Sequence, residues 1–435
     1  MLIIKYLFTY ESRIKKKFFR LVQKILNTFP ILKNIIKQKF LSKRVFIKFI
    51  ITTLSTSNIL SVESKPYEIT NFNVLEPGSL NISVYIFHDR NRNGTYDFGD
   101  KSMAGVETEL IKPDGMIVNA KSNKDGYTNF KMSLGSSNYR HINKDGELYT
   151  FKVLEPPNWQ ISAGDKTQNI FFLRQIGSPG GLIADEAPNW VGLVPNLTIK
   201  GQIKGRENNL PRDLIFEAIS PNQKKKNIKF GEKGEFIFPV YQGEWQLIFK
   251  SKLINWEQKK IINVNHAPIE LMNIIVGENQ LPISGKLKIE NFDWIKYSDL
   301  EKIPDGHLGL NWNYLLAMNN KKSRGPGYTN VLNSGHAIGY SSSGHPVTIK
   351  ASKGKKFDFI GGFFTVPWSK ANGEELKVEA YRNGKKIFED EFLLSYLGPR
   401  WLEVDLRKID KLILSTKHYW QFAVEDLHFR IQDDL

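Results

Sequence analysis

The sequence predicts an all-β chain built from tandem sandwiches, and three observations carry that prediction. Stretches rich in Val, Ile, Phe and Tyr, such as Ile82-Ser-Val84-Tyr-Ile86-Phe87, alternate with a period close to two, as half-buried strands do. Gly and Asp turns, among them Pro113-Asp114-Gly115 and Lys124-Asp125-Gly126, separate these stretches at the spacing of roughly 8 to 12 residues typical of sandwiches. The length of 435 residues and the hydrophobic content of 41% suit about three packed cores.

Residues 1–64 stand apart as a basic, partly helical extension. Met1 to Leu60 carries 13 Lys/Arg against one acid, Glu11, so +12 of the net +16 lies there and only +4 on the remaining 375 residues. A nucleic-acid-binding protein needs its basic stripe on the folded part, where Lys224-Lys-Lys226 is the main cluster and reads as a solvated turn; no nucleic-acid partner is expected. Lys43, Arg44 and Lys48 precede the uncharged run Phe49 to Val62, and Val62-Glu63-Ser64 offers a small-residue cleavage pattern. That order reads as a secretory signal with a long upstream extension, or as an extension lying outside the true product if translation starts nearer Leu41. The rival reading is a retained basic amphipathic anchor built from Lys15 to Arg20 and Ile31 to Phe40, lying on anionic lipid. Either way, a membrane is contacted only through this segment, and the folded part is expected outside the cell or on its surface. The closing Arg430-Ile-Gln-Asp-Asp-Leu435 has no hydrophobic tail, so attachment is expected through the N-terminus or through binding. Residues 65–79 read as a linker.

Cysteine is absent, which rules out disulfides, thiolate metal sites, a Cys nucleophile and a Cys-linked lipid anchor. For an exported chain, bound ions can replace the missing cross-links. The stretch from Asp89 to Asp100 fits that role. It places oxygen-bearing side chains at loop positions 1, 3, 5, 9 and 12 (Asp89, Asn91, Asn93, Asp97 and Asp100), Gly94 at position 6, and the main-chain carbonyl of Thr95 at position 7. That spacing wraps a Ca²⁺ ion in six or seven oxygens, with the glycine permitting the sharp turn. Three carboxylates, and a short Asp rather than Glu at position 12, predict weak binding, on the order of 10⁻⁵ to 10⁻³ M, suited to extracellular calcium. Strands rather than helices flank the loop, so the ion is expected to brace a sandwich rather than open a helix pair.

The order of strand, D-x-N-x-N-G-x-x-D-x-G-D loop, Ala104-Gly-Val106, turn and Asp125-Gly-Tyr127 resembles the calcium-binding B-type repeats of serine-aspartate repeat adhesins, which are related to collagen-adhesin B modules. The resemblance covers about residues 80–165, through Tyr149-Thr-Phe151-Lys-Val153 and Glu155-Pro-Pro157. It implies an Ig-like sandwich over 80–175 acting as a calcium-stiffened spacer, with the loop residues as ligands. The single copy and the lack of a serine-aspartate tract depart from that family and do not support a long stalk.

Gly177-Ser-Pro-Gly-Gly181 and the mixed stretch after it read as a linker over 176–195. A second strand series over 196–278 includes Leu197 to Ile203, Phe236-Ile-Phe238 and Trp245 to Phe249. It is similar in pattern to transthyretin-like or carboxypeptidase-regulatory-like sandwiches and carries no chemistry, so it reads as a spacer.

The last third, 282–435, contains Phe292-Asp293, Gly309-Leu-Asn311-Trp312-Asn313, the hairpin turn Asn383-Gly384 and Glu425-Asp426-Leu427. It resembles secreted jelly-roll modules of the carbohydrate-binding and galactose-binding-like kind. That implies an extracellular glycan or surface protein as partner. Eight aromatics are candidates for a stacking platform: Trp294, Trp312, Tyr314, Tyr328, Tyr340, Trp368, Trp401 and Trp420. Most are expected in the core, and Trp312 with Asn311 and Asn313 is the preferred exposed group. Asp293 and Asp426, with Glu425, come from opposite ends of this module and form a possible second calcium site, or are simply solvated acids.

No nucleophile elbow, P-loop, zinc-helix or dinucleotide motif is present, and His336 and His345 are more simply turn residues. The chain is therefore expected to be non-catalytic, since a glycosidase reading would need a carboxylate pair at a separation that sequence does not give. Two classes remain: a secreted or surface-associated adhesion protein presenting a jelly roll to glycan or protein, or a structural component of a matrix or envelope.

Overall fold

The computed structural model describes residues 79–133, 146–174, 182–205, 209–295, 300–352 and 354–431. The targeting or anchoring segment at 1–64 and the linker expected over 65–79 lie outside them, save Ser79. Among the described residues regular structure is almost entirely β, with one short helix, Pro326–Val331, and a few single-turn helices. The all-β expectation holds.

In the first sandwich, the Ser79–His88 strand pairs with Tyr127–Ser133, Lys101–Ser102 and Val191–Pro195. The facing sheet runs Ile117–Lys121, Glu107–Ile111, Glu147–Val153, Thr167–Arg174 and Leu182–Ala184. Ile82, Val84 and Ile86 point between the sheets onto Leu110, Phe130 and Phe151, which is why that strand alternates. Part of the expected 176–195 linker is structured. Val191–Pro195 is buried at every position and pairs in parallel with Ile86–His88, so it completes the first sandwich. A strand covered on both faces shows no polar alternation, and this one sits behind Pro188.

The second core gathers Ile199, Phe216, Phe236, Phe238, Leu247 and Phe249 between two further sheets. One of them does not stop at the module boundary expected from sequence. Its strand Ile269–Ile275 pairs in parallel with Arg400–Ile409, placing Ile269 opposite Trp401 and Leu271 opposite Glu403. The resulting ten-stranded sheet continues through Phe357–Thr365, Ala423–Ile431, Ala337–Ser341, Leu315–Asn319 and Leu300–Lys302. Arg400 adds a 2.7 Å ion pair to the largely buried Glu270 beside this seam. The second and third sandwiches thus share main-chain hydrogen bonds as well as side-chain contacts.

The third sandwich closes that sheet against Leu310–Asn313, Val347–Ala351, Lys411–Thr416, Glu375–Arg382 and Lys385–Leu393. Its core is aromatic, with Trp312, Phe357, Phe359, Phe364 and Phe429. Each such ring contributes about 1.5–3 kcal/mol by leaving water. The expected hairpin is present: Arg382 pairs with Lys385, and Asn383 and Gly384 take φ of 51° and 74°, the two left-handed positions such a turn requires.

Candidate functional site

The Asp89–Asp100 loop leaves the first sandwich at the end of the Ser79–His88 strand. Asp89 is fully buried, and its carboxylate accepts hydrogen bonds from the backbone N–H groups of Asn93 at 3.2 Å and Gly94 at 3.0 Å. Asn91 Oδ1 accepts from Asn93 N, and Asn93 Oδ1 from Thr95 N and Oγ1, so each asparagine closes a local turn. Gly94 has φ of 78°, and a Cβ there would meet Ser162 O at 3.2 Å, which explains glycine at position 6.

The amide groups of Asn91 and Asn93 both reach the Asp97 carboxylate, at 2.9 Å and 2.5 Å. Positions 3, 5 and 9 of the loop are therefore in mutual contact. Asp100 instead accepts from Arg90 N at 2.9 Å and Asp97 N at 3.1 Å. Burial raises its carboxyl above the usual range, and the like charges of Asp89 and Asp97 add to that against the two backbone donors. Among the described residues no three acidic or histidine side chains gather closely enough to hold a metal by themselves. A cation on this loop would take oxygens from the asparagine amides and the Thr95 carbonyl together with the carboxylates. That mixed oxygen donor set suits Ca²⁺ and no softer ion.

The loop also touches both other sandwiches. Arg90, at position 2, is largely buried; its guanidinium donates to Leu332 O at 2.6 Å and Asn333 O at 2.8 Å, while Gln242 Nε2 donates to Arg90 O at 2.7 Å. Nearby, Asn330 exchanges two hydrogen bonds of 2.9 Å with Ala104 and donates a third to Tyr396 O. His88 and His266 meet ring to ring at 5.5 Å, and His266 stacks on Phe363. Desolvation holds His266 down to about 3 and His88 well below the usual imidazole range, with Arg90 adding to both shifts.

Asp293, Glu425 and Asp426 all close on the Asn333–Ala337 turn, so the two ends of the last module do meet there. There they clamp the backbone of the turn. Asp293 accepts from His336 N at 2.8 Å and Ala337 N at 3.1 Å; Glu425 takes Asn333 N and Ser334 N; Asp426 takes Asn333 Nδ2 at 2.6 Å. A Cβ on Gly335 would lie 1.6 Å from Asp293 Oδ2, so only glycine lets the carboxylate in. Burial, reinforced by the charge of Asp426, pushes the Glu425 carboxyl up to about 8.

The aromatic candidates separate sharply. Trp312 is 1% exposed, its indole donates to His307 O at 3.0 Å, and its ring packs edge-on against Phe429. It belongs to the core, so the expectation that it is exposed for ligand is corrected; Asn311 and Asn313 flank it on the outer face of the strand. Tyr328 and Tyr340 are buried as well, and Trp294, Trp368 and Trp401 are partly buried against the cores. Tyr314 at 54% and Trp420 at 38% are exposed, together with Tyr419 at 74%, which the sequence did not single out. These sit on adjoining turns. Ser342 N donates to Tyr314 O, the His345 ring lies 4.7 Å from that of Tyr314, and Gly344 backs directly onto Tyr419 O. Tyr314, Ser343 and Tyr419 all have positive φ, 62°, 50° and 60°, a concentration of unfavourable backbone in one place.

No family model matches the chain. No curated protein matches it either. Among solved structures it is similar to the Bacillus anthracis TIE protein, at 16% identity over 45% of this chain and 34% of that one, with a TM-score of 0.21. It thus spans about a third of that protein's length. It is also similar to the CBM22-1 xylan-binding domain of Paenibacillus barcinonensis Xyn10C, at 9% identity over 36% of this chain and all of that one, with a TM-score of 0.23. The shaft pilin SpaA of Lactobacillus rhamnosus GG matches at 10% identity over 47% of this chain and 100% of its own, with a TM-score of 0.20. Likenesses at these scores carry no conclusion about this chain.

Proposed function

We propose that this is an exported, surface-associated binding protein that presents the Tyr314, His345 and Tyr419 turns to an extracellular glycan, with a calcium-stabilised loop holding the first sandwich against the third. One observation carries the reading. Three exposed rings lie on adjoining turns held in unfavourable backbone conformations, and flat rings at fixed positions suit stacking on the C–H faces of sugars. The loop supports the calcium part through its oxygen-rich donor set and through Arg90, which ties it to the Leu332–Asn333 carbonyls. The role is binding, not catalysis.

The full-length chain tests this by retention on insoluble cellulose, xylan, chitin and peptidoglycan. Retention on at least one is expected, and Tyr314→Ala with Tyr419→Ala should abolish it while the melting temperature stays close to that of the parent. Absence of retention on all four, or retention unaltered by the double variant, would refute the glycan reading. The continuous ten-stranded sheet favours a second reading, a rigid structural element of a matrix or envelope. A well-folded chain that binds none of the polymers is what that reading expects.

A further inference from the structure

The Tyr314, His345 and Tyr419 turns belong to a longer rim at one end of the third sandwich. The sheet order there runs Leu310–Asn313, Val347–Ala351, Lys411–Thr416 and Glu375–Arg382. The register sets Asn313 opposite Thr348, Val347 opposite Leu414 and Thr416 opposite Leu376, so four neighbouring strands reach the same end level with one another. Tyr314 leaves the first strand, and His345 leads into the second. His418, Tyr419 and Trp420 leave the third, and Glu374 leads into the fourth. Hydrogen bonds tie these turns together. Ser342 N donates to Tyr314 O at 2.7 Å, Thr416 Oγ1 to Trp420 O at 2.6 Å and Lys417 N to Glu375 O at 3.1 Å.

His418 is the polar member of this rim. Its side chain is 65% exposed, whereas that of Glu374 is only 2% exposed. Glu374 Oε1 accepts from His418 N at 3.0 Å, and Oε2 from the ring Nδ1 at 3.1 Å. Burying a carboxylate is costly unless it is paired, and its partner here is a ring that stands mostly in water. A ring that must meet a ligand at a set angle needs such a hold; a solvated turn does not. A carboxylate can only accept, so Nδ1 carries the proton and the neutral ring keeps Nε2 as an acceptor.

The dimensions select a ligand class. Neighbouring strands lie roughly 4.8 Å apart, which makes the rim from Tyr314 to the His418 ring beside Glu374 roughly 14 Å long. A pyranose with its linking oxygen covers about one such interval, so the rim matches about three consecutive rings of an extended chain. Lys417 Nζ is paired with Glu375 at 2.6 Å and Glu374 is turned inward, so the rim suits a neutral chain. We infer that the site takes an extended, neutral glycan of about three or more residues across this rim. His418 Nε2 accepts a hydrogen bond from a hydroxyl at the end remote from Tyr314, and Glu374 is the positioning residue for His418. This deepens the glycan reading above and rests on it.

The test is isothermal titration calorimetry of the full-length chain with cello-, xylo- and chito-oligosaccharides from the disaccharide to the hexasaccharide. Affinity for at least one series is expected to climb about tenfold or more from the disaccharide to the tri- or tetrasaccharide and then to level off. His418→Ala, at an exposed position, should erase most of that climb, lowering tetrasaccharide affinity about tenfold and disaccharide affinity less than about twofold. Glu374→Gln should show the same length-selective loss to a smaller degree, a pattern that loss of stability alone does not produce. Affinity that is flat from the disaccharide upward, or no binding by any oligosaccharide, overturns the extended rim. A His418→Ala variant that binds every length as the parent does overturns the role of His418, and Glu374→Gln indistinguishable from the parent overturns the positioning role. If the polymers are retained through Tyr314 and Tyr419 while any of these results is found, the inference fails and the proposed function stands. If no polymer is retained and no oligosaccharide binds, both fail.

Discussion

The guanidinium of Arg90 donates to the main-chain oxygen of Asn333 at 2.8 Å, joining the second residue of the expected calcium loop to a turn 243 residues later. The same turn is gripped from its own side by Glu425, whose carboxylate takes the N–H groups of Asn333 and Ser334. Burial lowers the Arg90 guanidinium to about 10, with Glu425, Asp100 and Asp426 acting against that shift, so it stays charged at neutral pH. Arg90→Met leaves two carbonyls and three nearby acids without their cation. Hydrogen bonds from charged groups contribute about 1.5–3 kcal/mol, and urea unfolding of the full chain should show a loss of that size. Arg90→Lys should fall between, because one ammonium cannot reproduce the planar fork. A loss below about 0.5 kcal/mol for Arg90→Met, the size of an ordinary surface change, would mean the tie contributes nothing.

Calcium should stabilise the same junction. At a free concentration a hundred times its Kd, an ion bound only by the folded state adds about 2.7 kcal/mol. Chelation is therefore expected to lower the melting temperature, and Asp89→Ala with Asp97→Ala should remove the response. The two positions differ in kind. Asp97 is exposed and its carboxylate accepts from the Asn91 and Asn93 amides, so Asp97→Asn should erase the calcium response at little cost to the ion-free protein. Asp89 already receives Asn93 N and Gly94 N, so Asp89→Ala should destabilise with or without the ion. A melt indifferent to both chelator and added calcium would sink the metal assignment.

Local pattern revealed what local physics determines. Ile82 to Ile86 was readable because Ile82, Val84 and Ile86 are buried while Ser83 and Tyr85 between them are only partly so, and Asn383-Gly384 because its turn needs two left-handed residues. Val191–Pro195 was hidden, since a strand buried at every position carries no alternation. Asn311-Trp312-Asn313 alternates as a strand should, but a period of two does not say which of its faces is the core. The ring went inward. Arg90, Asn330 and Tyr419 gain their roles from partners far away in sequence or from exposure, and no neighbouring residue signals either.

The buried histidines should make the junction acid-sensitive. His266 is held down to about 3 when folded, against about 6.5 for a free imidazole, so between those values the unfolded chain binds a proton that the folded chain refuses. Its contribution to stability is whole above about pH 6.5 and is lost as pH falls towards 3, at up to ~1.4 kcal/mol per pH unit. Glu425, raised to about 8, works with the opposite sign: its contribution is whole below the ordinary carboxylate range and is lost as pH rises through 8. His266→Phe keeps the stack on Phe363 and removes a ring nitrogen that has no partner. The variant should show a flatter fall in stability between pH 6.5 and 5 than the parent by denaturant titration, whatever Glu425 adds to both. Equal slopes would contradict a neutral buried imidazole at this position.

Stability and binding should come apart at Trp312 and Tyr419. Trp312→Ala empties a core site against Phe429 and removes the indole donor to His307 O, which keeps only the Leu310 N–H, a change expected to cost about 3–5 kcal/mol. Any loss of ligand in that variant would follow from loss of fold. Tyr419 is the reverse case, mostly in solvent with φ of 60°, where glycine is the more comfortable residue. Tyr419→Gly should leave the unfolding free energy unchanged or slightly raised, because the relief of backbone strain offsets the extra freedom of glycine in the unfolded chain. Its polysaccharide retention should nevertheless drop, since the ring that would stack on sugar is gone. Unfolding curves and retention measured on the same preparations separate the two effects. Full retention by Tyr419→Gly would show that the exposed ring has no part in recognition and would return the search for the ligand face to the rest of the surface.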